Sequence, residues 1–246
     1  MPVAPLLLAG IAGAVCLAGC IQGVLGFGFG LVAMGLLPLL LGVKGAVPVV
    51  ATMALLVNST LLYRFRDSFS LRDAAPLIGP AIVGIPIGVF ALRSWSGDAL
   101  MVALGILVLA YVAWGLSRAT VPQLGPRAGA ALGLVAGVLG GAFSTAGPAA
   151  VVWVSSQPWP SRQLRATLVG LFAIGGSLQV ALLTHAGLVN MDTLKVSAVA
   201  LPAAALGSLL GAKLGDRVPQ AQFRRIMLAG LGVLAFVFIS NGVRSG

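Results

Sequence analysis

Polar positions are so sparse along this chain that its plan is legible from where they interrupt the apolar runs. Six runs separate cleanly, at residues 45–62, 74–92, 98–116, 165–185, 194–212 and 226–240. Each matches or approaches the roughly 20 residues a helix needs to cross a bilayer. Two stretches do not fit that rule. Residues 3–41 hold no charge and are too long for one ordinary crossing, and residues 127–154 share with them the densest glycine. In the first, Gly26, Gly28 and Gly30 alternate with Phe27 and Phe29. Glycine admits backbone angles that other residues avoid, so this spacing predicts a helix that breaks and turns back with main-chain N–H groups free to meet a ligand. The segment Gly140-Gly141-Ala142-Phe143-Ser144-Thr145-Ala146-Gly147-Pro148 predicts a second break.

The distribution of charge decides how the two glycine-rich stretches behave. If each crossed once, eight spans would divide the basic residues seven against eight, with no bias. If each is a hairpin that enters and leaves on one side, eleven fall together (Arg64, Arg66, Arg72, Arg118, Arg127, Arg162, Arg165, Lys213, Arg217, Arg224, Arg225). Only Lys44, Arg93, Lys195 and Arg244 remain opposite. Basic residues concentrate on the cytoplasmic side of membrane proteins, so hairpins are expected, with both termini outside the cytoplasm.

A hairpin plus three spans crosses an odd number of times, so two such units in succession must be oppositely oriented. The fold expected is therefore an all-α polytopic membrane protein with an inverted-topology repeat. Residues 1–120 form one half, with its hairpin at 3–41 and spans at 45–62, 74–92 and 98–116. Residues 121–246 form the other, with its hairpin at 127–154 and spans at 165–185, 194–212 and 226–240. Three echoes in order support a repeat: Gly23-Val24-Leu25-Gly26-Phe27 with Gly137-Val138-Leu139-Gly140-Gly141, Pro80-Ala81 with Pro202-Ala203, and Leu104-Gly105-Ile106-Leu107 with Leu231-Gly232-Val233-Leu234. Their offsets of 114, 122 and 127 residues grow along the chain, as small loop insertions would make them. The link from Leu116 to Arg127 is the expected junction between halves.

Composition agrees with a membrane protein: 59% of the 246 residues are hydrophobic, 8% are charged, and the mean hydropathy is +1.07. A soluble core of this size needs a far more polar exterior. The net charge of +10 would suggest nucleic acid in a soluble protein, but here the basic residues lie scattered in the links and serve orientation, so no nucleic-acid partner is expected. The N-terminus lacks the basic start of a cleaved signal and is expected to be part of the membrane domain. Cys16 and Cys20 have no nearby His or carboxylate and are expected to pack as small apolar groups. With no His–carboxylate cluster, no paired carboxylates and no activated nucleophile, neither an enzyme nor a metal or cofactor is expected.

Helix ends at such breaks leave unpaired backbone groups, and N–H groups at helix starts favour an anion. Two facing breaks would make one central site. Its expected substrate-binding residues are Gly26, Phe27, Gly28, Gly30, Asn58, Gly140, Gly141, Ser144, Thr145, Gly147 and Gln179, with Ser144 and Thr145 as hydroxyl donors. Asn58 and Gln179 are amides within spans and need partners there, whether a neighbouring helix, water or substrate. Gln22, Ser59, Thr60 and Ser177 are neighbours of the same expected cavity. Gly84, Gly88, Gly207, Gly211 and Gly215 instead suit close helix packing. Asp67, Asp73, Asp98, Asp192 and Asp216 all fall in links or at span ends, so no carboxylate proton relay is visible. His185 is expected at an interface.

The run Ile21-Gln22-Gly23-Val24-Leu25-Gly26-Phe27-Gly28-Phe29-Gly30-Leu31 with Pro38, the segment 140–148, and Gly211-Ala212-Lys213-Leu214-Gly215-Asp216-Arg217 before Phe223-Arg224-Arg225 together resemble the sulfite/anion exporter TauE/SafE (TSUP) family across essentially the whole chain. The resemblance implies a bacterial inner-membrane permease for a sulfur-containing anion such as sulfite or an organosulfonate. It carries the family's first glycine motif onto Gly26, Gly28 and Gly30, and the second onto Gly140, Gly141, Gly147 and Pro148. Ser144 and Ala146 stand where relatives often have glycine, and Ala149 where some have another proline, departures that would alter cavity width and donor count. The function expected is export of a small anion by alternating access. An anion channel on the same scaffold, a carrier of a small carboxylate and a non-transporting assembly protein are the alternatives. The partners are the anion and the lipid bilayer, with homodimerisation left open.

Overall fold

Main-chain polar groups inside a bilayer find partners only in helices or closed barrels, and in the computed structural model every regular element among the described residues is helical. The structure describes residues 5–25, 27–116, 123–215, 231–240 and 242–243. In chain order the helices are α1 (Pro5–Leu25), α2 (Phe29–Leu36), α3 (Pro38–Phe65), α4 (Leu71–Ser94), α5 (Gly97–Leu116), α6 (Pro126–Phe143), α7 (Gly147–Ser155), α8 (Ser161–His185) and α9 (Met191–Gly215). A last helix, α10, is described over Leu231–Ser240. Seven of these, α1, α3, α4, α5, α6, α8 and α9, are long and apolar enough to cross a membrane. The start of the last expected span, residues 117–122 of the expected junction and the final basic link beyond Gly215 lie outside the described residues.

Both glycine-rich stretches fold as a long helix followed by a short one that runs back. α1 has 21 residues and α2 has 8; α6 has 18 and α7 has 9. At 1.5 Å per residue, each second leg covers half the path of the first or less. The first hairpin closes where a side chain at Gly10 would meet Leu40 at 3.3 Å. Gly42 then kinks α3 with φ 66° and ψ 166°, a conformation open to glycine alone, so residues 38–41 belong with the hairpin and the rest of α3 is the crossing. The second hairpin is stitched at its base. Leu124 N–H donates to Ser156 Oγ (3.2 Å), Gln157 Nε2 to the Leu124 carbonyl (3.0 Å) and Trp153 Nε1 to the Gly125 carbonyl (3.3 Å). The indole of Trp153 rests on Gly129 and meets Trp159 edge to face at 5.5 Å. The chain thus leaves this hairpin where it entered.

The helices pack as two units. One contains residues 1–46, 94–119 and 195–246, and so α1, α2, α5, α10 and most of α9; the other contains residues 47–93 and 120–194, and so α4, α6, α7, α8 and α3 beyond its kink. Lipid is as apolar as leucine, so close backbone approach at small residues takes over the role of hydrophobic burial in joining membrane helices. In the first unit α1 and α9 meet this way. Side chains at Gly207 and Gly211 would run into the carbonyl oxygens of Cys16 and Cys20, and one at Gly19 into that of Ala204. Cys16 and Cys20 are free thiols in this seam, half-buried. In the second unit α4 and α6 meet identically: Gly84 and Gly88 stand against the carbonyls of Leu134 and Val138, and Gly137 against that of Ala81. Helix α4 runs unbroken through Pro76, Pro80 and Pro86.

Candidate functional site

The site is built in the second unit, around the break between α6 and α7. α6 ends because Ser144 adopts φ 54° and ψ 27°, a left-handed turn that is the only positive φ at a non-glycine among the described residues. Its N–H closes the last turn on the Gly140 carbonyl at 2.8 Å, and Thr145 N–H reaches the Leu139 carbonyl at 3.4 Å. Left-handed backbone costs a residue with a Cβ about 1–2 kcal/mol, and tertiary bonds hold Ser144 there. Gln179 Nε2, from α8, donates to Ser144 Oγ at 2.9 Å and to the Gly141 carbonyl at 3.4 Å. Ser144 Oγ donates in turn to the Val47 carbonyl of α3, at 3.5 Å. The serine hydroxyl is therefore engaged on both sides, accepting from one helix and donating to another.

Thr145 differs from its neighbour. It is 2% exposed, and its hydroxyl oxygen is buried without a hydrogen-bond partner among the described residues. The next residue, Ala146, is the N-cap of α7 and supplies no side-chain cap; Pro148 in the first turn has no N–H to offer. The hydrogen bond at that turn is the helix's own, from Ala150 N–H to the Ala146 carbonyl at 3.2 Å. A buried hydroxyl left unpaired costs about 1–3 kcal/mol, and here it adjoins a helix start with no side-chain cap and no acidic residue in its first turn. Gly147 stays small enough that a side chain there would just touch Phe172 of α8, at 3.9 Å. Gly141 lets α6 sit directly on the Ile85 carbonyl of α4.

The first break, in the other unit, is arranged differently. Gly28 caps α2 with φ 107° and ψ −1°, angles that only glycine holds without strain. Phe29 N–H, the first donor of α2, is bonded to Gln22 Oε1 of α1 at 2.9 Å, and both residues are buried. Phe27, Gly28 and Gly30 are half-buried around this turn, and Gly26 lies outside the described residues.

Of the residues expected at a site, the structure brings together Gly140, Gly141, Ser144, Thr145, Gly147 and Gln179. Asn58 shares the unit: it is buried, and its amide donates to the Ala54 carbonyl one turn back at 2.7 Å. Ser59, Thr60 and Ser177 are exposed on their helices, with Thr60 and Ser177 bonded to their own backbones. His185 is exposed at the end of α8. Sequence reasoning missed the Val47 carbonyl, for which no side-chain signal exists. It also missed Thr167, fully buried in α8 with a hydroxyl that has no partner among the described residues. A threonine at the head of the apolar run that follows Arg165 was its only mark. No cluster of three or more His, Cys, Asp or Glu side chains gathers among the described residues.

Comparison with known proteins agrees with this architecture. Over 227 residues, 86% of each chain, the sequence is 28% identical to the "Probable sulfite/organosulfonate exporter TauE" of Cupriavidus necator. Over 96 residues, 39% of this chain and 40% of the relative, it is 34% identical to the "Probable inner membrane transporter protein TsaS" of Comamonas testosteroni. No solved structure gives a significant match. The model of the family described as "Sulfite exporter TauE/SafE" matches residues 11–238, which takes in the second hairpin, all but the start of the first and nearly all of the spans, and the chain belongs to that family.

Proposed function

We propose that this membrane transporter exports a small oxyanion, sulfite or an organosulfonate, across the bacterial inner membrane by alternating access, and that it takes the anion at the break between α6 and α7. The observation that carries the reading is Thr145. Its buried, unpartnered hydroxyl beside the uncapped start of α7 is a donor with nothing to donate to, and a helix start with a free hydroxyl is matched to a negatively charged oxygen. The names of the relatives supply the chemical class, and the net basic charge of the links suits it. With one negative charge moved outward, the membrane potential contributes about 2.3 kcal/mol per 100 mV.

The scaffold is read as an inverted repeat of residues 1–120 and 121–246 with both termini periplasmic. The matching seams support it. Cys16 and Leu134, Gly19 and Gly137, and Cys20 and Val138 occupy equivalent contacts and are each 118 positions apart. Their partners Ala81 and Ala204, Gly84 and Gly207, and Gly88 and Gly211 are each 123 apart. The same 118 relates the end of α1 at Leu25 to that of α6 at Phe143, and the start of α2 at Phe29 to that of α7 at Gly147. This register differs by one helical turn from the 114 that the glycine echo suggests. Two hairpins that each return to their own side, followed by three spans, require the two halves to be oppositely oriented.

Flux from proteoliposomes loaded with sulfite, sulfoacetate or acetate tests the function. Efflux of a sulfur oxyanion that saturates, shows counterflow exchange and accelerates under an imposed potential is the expected result. Absence of flux for every anion, or flux that follows a pH gradient and ignores the potential, would refute the uniport reading.

A further inference from the structure

The two breaks are equivalent in register but not in chemistry. At the first, the leading N–H of α2 is occupied by a side chain of the protein itself, Gln22 Oε1 on Phe29 N–H at 2.9 Å, with Gln22 3% and Phe29 1% exposed. At the second, the leading residue of α7 is Gly147, the 118-position counterpart of Phe29. The counterpart of Gln22 by the same spacing is Gly140, which has no side chain. Its position is telling, because a Cβ built on Gly140 would point at Ala146, the N-cap of α7, at 3.2 Å. The residue that would plug the second helix start is thus reduced to a hydrogen at the place where the first carries a glutamine.

We propose that Gln22 is a built-in occupant of the first break: its amide oxygen sits where an anion's oxygen would sit, so the first break is closed to anions and the chain handles one anion, at the second. This rests on the reading of the second break given above. A neutral amide oxygen suits the role. It satisfies the helix-start donor without bringing a charge into the membrane interior, where an unpaired carboxylate is expensive. The asymmetry also accounts for why one half of a repeat can hold substrate while the other serves as scaffold. Phe27, Gly28 and Gly30 then shape the turn that presents Phe29 to Gln22, and do not touch the anion.

Hydrogen exchange on the full chain in lipid nanodiscs, with sulfite as the probe, tests this. In the native chain the amide of Phe29 is expected to exchange slowly and to be unaffected by sulfite, whereas the first turn of α7 slows when sulfite is added. Gln22→Met, similar in volume but without the acceptor, is expected to speed Phe29 exchange at least tenfold and to leave sulfite affinity within threefold of native. Gln22→Glu, measured at a pH low enough to keep the acid neutral, retains a carbonyl oxygen at the same reach and is expected to keep Phe29 slow, which guards against a Gln22→Met chain that fails to fold. Gly140→Gln, compared with Gly140→Ala to separate the effect of the Cβ, is expected to abolish the sulfite response. Protection of Phe29 by sulfite in the native chain, or loss of sulfite affinity in folded Gln22→Met, would overturn the proposal. So would fast Phe29 exchange in Gln22→Glu. The exchange of Phe29 with and without Gln22 needs no anion, so a chain that bound no sulfite would remove the reading of the second break while the Gln22 cap was still decided.

Discussion

Replacing Thr145 by valine separates a hydroxyl that serves the fold from one that serves a ligand, because the two roles predict opposite signs. The side chains are nearly the same shape and the site is 2% exposed, so packing is unchanged to first order. Among the described residues the hydroxyl oxygen is buried without a partner. Removing an unsatisfied buried polar atom relieves about 1–3 kcal/mol, so Thr145→Val should melt above the native protein. In the anion complex proposed above, the same hydroxyl would make a hydrogen bond to a charged group, worth about 1.5–3 kcal/mol. At about 1.4 kcal/mol per tenfold, the anion should bind roughly tenfold to a hundredfold more weakly. Thermal melting of the detergent-purified protein across a sulfite titration reads both quantities at once, since a ligand that binds only the folded state raises Tm by mass action. Thr145→Ser keeps the hydroxyl and should keep the affinity. A Thr145→Val protein that melts no higher than native and shows the native sulfite midpoint would refute the argument on both counts.

Ser144→Ala removes the acceptor of Gln179 Nε2, at a cost of about 1 kcal/mol, while Ser144→Gly loses the same bond but relieves left-handed strain of about 1 kcal/mol or more. The glycine variant should melt above the alanine variant, and the reverse order would show that Ser144 is unstrained. Gly88→Leu drives a side chain into the Val138 carbonyl with no room to relax, and should abolish the monodisperse peak on size exclusion. Ile87→Leu on the exposed face of the same helix should leave that peak intact. Alkaline phosphatase fused at either terminus should be active and a fluorescent protein dark; the opposite pair of results would reverse the orientation.

Much of the architecture was legible without coordinates because a bilayer imposes few choices. Long uncharged runs must be helices, since backbone groups have no other partner there, and the positions of Arg and Lys decide on which side each link lies. That reasoning alone placed a reversal within residues 3–41 and another within 127–154, where α1 turns into α2 and α6 into α7. The cluster of Gly140, Gly141, Ser144, Thr145 and Gly147 was also visible, because a break in a membrane helix exposes backbone wherever it occurs.

What each polar group bonds to was decided only by packing. Gln179 lies 35 residues from Ser144, and Val47 lies 97 away. Nothing in their local sequence says that three helices converge on one hydroxyl and thereby leave Thr145, its immediate neighbour, without a partner. Asn58 and Gln179 look alike along the chain, yet one turns back on its own helix and the other staples the break. The register of the two seams followed from which carbonyls lie opposite which glycines, a contact between distant helices that a glycine-rich composition cannot specify, since a shift by one turn presents almost the same residues. The sequence by itself determined where the chain crosses and where it turns, because those depend on transfer of single segments into lipid. Only the tertiary structure decided that a side chain of α1 caps the first N–H of α2 while the start of α7 has no side-chain cap, because that depends on whether a side chain from one helix reaches the first N–H of another.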